Sequence, residues 1–316
     1  MRHIRQLIRI LATGYILVFY SEFVFWARVR PEDSWPAWLA TWLVYSVLGF
    51  VLLTCISRFR VQSIWALFLC GAVFGWLTEG LVVQTAYEAL PLSISFTALA
   101  WHALISVWVG WYAVRRALHT SARATLLVAC LAGLSYGFWA IAWWVEPDGA
   151  IAPPSEFAQF AALTTLLLIP AYWLDDRMSA TVFAPNRAAE IVVAVLLALQ
   201  FVITTVPNAP IAIGILPVLL AVMYGALRRN QQAGSPTSLL QTPHPRAPVL
   251  NYLGLLLMPV IATTFYSVAF ASGWRWHTNW VVYLITTPMG FIVLAVSLIK
   301  VWRTSPGTSP AGEPQR

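Results

Sequence analysis

Apolar runs of about twenty residues alternate along the chain with short polar, basic or proline-bearing segments, and ten such runs can be counted. About 20 apolar residues in helical form cross the ~30 Å hydrocarbon layer of a bilayer, so each run predicts a spanning helix. The first five lie at about Leu7–Trp26, Trp38–Ile56, Ile64–Val83, Ile94–Val114 and Ala124–Val145. The second five lie at about Phe157–Leu174, Glu190–Val206, Ile211–Leu227, Val249–Ala271 and Trp280–Trp302. Only Pro207-Asn208-Ala209-Pro210 divides spans seven and eight. Two prolines so close predict a tight turn there rather than one very long helix.

Composition agrees with this pattern. Hydrophobic residues make up 59% of the 316 residues and charged residues 10%, and the mean hydropathy is +0.73. Soluble domains carry nearer ~25% charged residues, so a soluble fold is excluded. The expected fold class is all-α, a polytopic integral membrane protein with lipid as its main solvent. A net charge of +7 would in a soluble chain raise nucleic-acid binding. Here the placement of the basic residues accounts for it, and no nucleic-acid partner is expected. With the N-terminus cytoplasmic, the outside keeps only Arg28, Arg30 and Arg275 of the 19 Lys and Arg. Arg2, Arg5, Arg9, Arg115, Arg116, Arg228, Arg229, Lys300 and the others fall inside, which predicts cytoplasmic termini. The absence of N-x-S/T sequons is compatible with a bacterial inner membrane. The first apolar run is too long for a typical signal h-region and is read as an uncleaved span. A single transmembrane domain is expected over 1–303, with a flexible cytoplasmic loop at 228–248 and a disordered tail at 304–316.

The other punctuating residues have bland readings. Most of the 17 tryptophans fall at span ends and suit interfacial belts, Trp26, Trp143 and Trp144 among them. Trp42, Trp76 and Trp139 lie deeper and read as helix packing. Cys55, Cys70 and Cys130 sit in apolar stretches without metal-ligand or disulfide spacing. Internal prolines fall in spans six, eight, nine and ten, at Pro170, Pro217, Pro259 and Pro288, and predict kinks in the second half.

The first half holds the intramembrane ionisable groups: Glu22 in span one, Glu79 in span three and His102 in span four. Such residues are costly in hydrocarbon and are functional candidates for that reason. Glu22 and Glu79 each precede an outer helix end by about four residues, ~6 Å, and so share a depth. Gly71, Gly75 and Glu79 recur every four residues, as do Ala98, His102, Ser106 and Gly110. Small residues on these faces predict contact with other helices and direct Glu79 and His102 into the bundle. An outward-facing polar site built from Glu22, Glu79 and His102, with Glu88 at its mouth, is therefore expected. Two carboxylates forced together share a proton at neutral pH, which suits proton coupling or cation capture. The same residues are weak candidates for a hard or borderline metal ion, and no cofactor is implied. A structural hydrogen-bond cluster is the competing reading.

Catalytic signatures do not persuade. Gly133-Leu134-Ser135-Tyr136-Gly137 fits G-x-S-x-G but lies within a span, where the glycines read as helix packing. Asp175-Asp176-Arg177 starts an acidic motif without completing it and reads as a solvated inner helix end. His119, His244 and His277 read as exposed loop residues. The ten-span plan resembles, in span count alone, that of drug/metabolite-type transporters, whose inverted five-helix repeats imply a site between halves. In this chain the Glu/His set has no counterpart in spans six to nine. The leading expectation is a secondary transporter or permease of a small solute, proton-coupled through Glu79 and Glu22. An intramembrane enzyme acting on a lipid or isoprenoid is the alternative, and a non-catalytic subunit of a membrane complex the third. The small-residue faces would also serve a homodimer.

Overall fold

A computed structural model of the chain describes residues 2–146, 151–179, 182–233, 238–240 and 246–303. The tail 304–316 and much of the loop expected at 228–248, with Gly234, Pro236, Pro243, Pro245 and His244, lie outside the described residues. Every element among the described residues is helical. Among the described residues ten helices are long and apolar enough to cross a membrane: α1 Arg2–Trp26, α2 Trp35–Arg58, α3 Ile64–Val82, α4 Leu92–Thr120 and α5 Ala122–Trp144, then α6 Pro154–Ser179, α7 Arg187–Asn208, α8 Ala212–Gln232, α9 Val249–Ala271 and α10 Thr278–Arg303.

These helices coincide with the ten expected spans, and most run a few residues past the apolar core at one or both ends. The extra turns carry polar and basic residues such as Arg2, Arg5, Arg58, Arg187 and Arg229, whose long side chains reach for a polar boundary while the backbone stays hydrogen-bonded. Helix starts are fixed by short polar side chains. Ser63 accepts from the Ala66 N–H at 3.1 Å, Ser121 from Ala124 at 3.1 Å and Asn186 from Ala188 at 2.9 Å, each satisfying a first-turn donor. The Pro207–Pro210 segment ends α7 and begins α8 as a turn, with the Ala209 N–H bonded to Thr205 O and that of Ala212 to Ala209 O. Helix α8 extends through Gln232, so the segment starting at Arg228 is helical at first. Pro259 breaks the regular ladder of α9: Leu255, Leu256 and Met258 donate three residues back instead of four.

The chain divides into two compact units assembled from interleaved segments: 1–49, 105–181 and 243–287 in one, 50–104, 182–242 and 288–316 in the other. In the first unit α5 and α9 meet along the Gly133/Gly137 seam. A Cβ at Gly133 would come 2.6 Å from Met258 O, and one at Gly137 2.7 Å from Ala262 O. Nothing larger than glycine lets the two backbones approach so closely. At the end of α1, Ala27 adopts a left-handed conformation, and the indoles of Trp139 and Trp143 both donate to Phe25 O at 2.5 and 2.8 Å. Trp144 is buried, donating to the Tyr266 hydroxyl at 2.7 Å. These three tryptophans tie helix ends together within the unit. In the second unit, Gly75 of α3 lies against the Ala98 carbonyl of α4, where any Cβ would collide, and the buried Trp76 indole donates to Ile94 O at 2.9 Å.

Candidate functional site

Glu79 sits on a widened turn. The Val83 N–H bonds to Thr78 O at 2.9 Å, five residues back, making Thr78–Val82 a π-helical stretch at the end of α3. His102 lies in a longer stretch of the same kind, Ala98–Val114, where its own N–H reaches Thr97 O at 3.0 Å. Glu22 occupies a third, Phe19–Phe23, and a fourth lies at Phe201–Thr205. Such turns are rare and concentrate at functional positions. All three expected intramembrane groups therefore stand on backbone that departs from the α-helix.

The structure brings Glu79 and His102 together. Their Oε1 and Nε2 atoms are 2.6 Å apart, with Glu79 7% and His102 2% exposed. The second carboxylate oxygen accepts a hydrogen bond from the Thr85 hydroxyl, and Thr97 also hydrogen-bonds the carboxylate. The His102 ring stands edge-on to Phe74 at 5.7 Å between centroids. Gly75, one turn before Glu79, supplies the close approach of α3 to α4 on which the pair depends. The connection between the helices is fastened to the same place: the Tyr87 hydroxyl donates to Gly80 O at 2.6 Å. Burial pushes the Tyr87 phenol up to about 12. A carboxylate so enclosed stays in place only because each oxygen has a donor, and the imidazole offers a position to which a proton can pass.

The other two expected members stand apart from this pair in their bonding. Glu88 is exposed on the α3–α4 connection. Glu22 belongs to the other unit. There it accepts from the Tyr45 hydroxyl at 2.5 Å and from the Trp26 indole at 3.1 Å. Among the described residues, no three His, Cys, Asp or Glu side chains gather as a metal site would require.

A second buried polar cluster, in the first unit, escaped the sequence reading. Asp175 is fully enclosed and receives Arg9 on one oxygen at 3.3 Å and Arg115 on the other at 3.2 Å. Arg9 is itself 1% exposed, and its two terminal nitrogens are buried without a hydrogen-bond partner. Next to it, Asp176 accepts from the Tyr252 hydroxyl at 2.7 Å and meets His119 at 3.1 Å. This corrects three expectations. Arg9 is an interior residue and not part of a cytoplasmic segment, Asp175-Asp176 is not a solvated helix end, and His119 is mostly covered. The available signal was opposite charge at one level: α6 ends where α1 begins, with Arg9 about two turns into one helix and Asp175 about one turn from the end of the other.

A cavity of about 450 Å³ lies in the second unit among α2, α3, α7 and α8, lined almost wholly by apolar side chains. Comparison with protein families, with curated proteins and with solved structures yields no match to this chain.

Proposed function

We propose that the chain is a secondary transporter or permease of a small solute, and that the Glu79–His102 pair carries a coupled proton. The observation that supports this reading is the 2.6 Å bond between a carboxylate and an imidazole, both enclosed in a helix bundle composed for a membrane. A proton shared across that bond can reside on Oε1 or on Nε2. The threonine hydroxyls of Thr85 and Thr97 hold the acid in place during the exchange, and the wide turns beneath both residues give the backbone two hydrogen-bonding registers. Glu22, with Tyr45 as its donor, is a further proton-binding candidate in this scheme. The internal prolines of α6, α8 and α10 supply the bending that alternating access requires.

The test is uptake into proteoliposomes loaded with a pH-sensitive dye, across a panel of organic cations, organic anions and amino acids. A solute that moves protons with the natural chain and not with Glu79→Gln, the variant remaining folded, supports the reading. Uptake with full proton movement in Glu79→Gln removes the proton role.

A further inference from the structure

Helix α7 buries no side chain over Arg187–Gln200. Ile191, Val195, Leu199 and Val202 point outward and are about half or more exposed, as expected of a surface that meets lipid. Beside them Ala194 and Ala198, one turn apart and themselves exposed, border an open cleft toward α2, α3 and α8. These two small side chains leave the space that becomes the 450 Å³ cavity. On α8 its wall runs from Leu216 to Leu227, eleven residues or ~16 Å of helix. That is about half of the ~30 Å hydrocarbon thickness, the depth of a single leaflet. Its hydroxyl and thiol groups, from Tyr224 and Cys55, lie toward one end.

That end is basic. Arg228 follows the lining residue Leu227, is exposed, and donates to the Tyr224 hydroxyl at 2.9 Å. Arg58 precedes the lining residue Phe59, is 51% exposed in its side chain, and reaches Glu190 at 3.5 Å, one turn before Ala194. Each guanidinium has five N–H donors and spends one or two of them in these contacts. Arg229 is committed elsewhere, over the Trp302 ring and to its carbonyl. An apolar slot one leaflet deep, with two guanidinium groups at its polar end, matches the outline of an anionic amphiphile.

We infer that this cavity holds one hydrocarbon chain of an anionic phospholipid whose phosphate is bound by Arg58 and Arg228. The site uses neither Glu79 nor His102, so it stands independently of the proton-carrying reading. A neutral isoprenoid would fill the same slot without using the arginines, and a lipid held only by the outer face of α7 would be insensitive to the cavity's volume.

The test uses the full chain, purified in mild detergent and stripped of lipid, then offered phosphatidylglycerol or phosphatidylcholine of equal chain length and read by native mass spectrometry. One phosphatidylglycerol is expected to stay bound with about thirty-fold preference, because two guanidinium groups attract its net negative charge whereas the choline ammonium of the other lipid offsets its phosphate. Arg58→Gln or Arg228→Gln should each cut that preference about five-fold. Ala194→Phe with Ala198→Phe should abolish retention, whereas Glu79→Gln should leave it intact. Because the doubly filled variant could fail to fold, phosphatidylglycerol with a photoreactive chain terminus is crosslinked to the natural chain as well. Label on Leu197, Leu220 or their lining neighbours supports the site. Equal retention of the two lipids, or label confined to Val195 and Leu199 on the outer face, overturns it.

Discussion

The Glu79–His102 pair and the Arg9–Asp175–Arg115 cluster are both shut away from solvent, one in each compact unit, and they are built on different electrical plans. The pair can become neutral by moving one proton between its own atoms. Two permanent cations flank Asp175 in the other cluster, and removing the acid strands both of them. A buried group that can discharge itself is suited to a cycle; a buried group that cannot is suited to holding helices in register. The polar interior of this chain thus has a part able to change state and a part that resists change.

Substitution can break that contrast. The largest effect is expected from Asp175→Asn, which leaves Arg9 and Arg115 buried without their acid. A loss of about 3–5 kcal/mol is expected, read as a shift in unfolding in mixed dodecyl maltoside and sodium dodecyl sulfate micelles. A loss below that of any change at the Glu79 pair would reverse the assignment of roles. His102→Ala comes next, with an expected cost of about 1–3 kcal/mol for one missing partner of a buried acid. The cost is smaller because Glu79 retains Thr85 and Thr97 and can be neutralised by a proton. Equal losses at the two sites would erase the distinction.

The smallest effect sharpens the picture around the pair. Tyr87→Phe removes the bond to Gly80 O, worth about 1 kcal/mol at neutral pH. The phenol's pKa is raised from its usual ~10 to about 12, so folding favours its protonated form. The natural chain's advantage over Tyr87→Phe should be full below pH ~10 and fade as the pH approaches 12. A difference between the two proteins that grows over that range would contradict the burial of this hydroxyl.

The ten helices were legible because hydrophobic length is a strong signal in a lipid solvent, and Pro207–Pro210 marked its one difficult boundary. Glu79 and His102 were legible for a related reason: ionisable groups in apolar runs stand out, and the four-residue spacing with Gly75 and Ala98 oriented them inward. Glu22 was legible as an intramembrane acid, but helical depth carries no information about which neighbour fills its side, and Tyr45 could not be foreseen. Arg9 and Asp175 were hidden by the habit of assigning charges near helix ends to the surface. The rule holds for Arg2 and Arg5, which are exposed. It fails two turns into α1, where the chain is already inside the bundle. The π-helical stretches had no residue signature at all, since the wide turn is decided by packing against neighbouring helices.

Those wide turns bear on how the chain tolerates changes of length. A hydrogen bond closing five residues back encloses one residue more than its α-helical counterpart. Deleting one residue within Thr78–Val82 or Phe19–Phe23 can therefore close the ladder in the ordinary way and leave the faces on either side undisturbed. The same deletion in regular helix turns everything downstream by ~100° about the axis. The places where this chain can most readily lose a residue without scrambling its faces are the places that carry Glu79 and Glu22, so frame-preserving deletions there would act on the acids first and on the scaffold second.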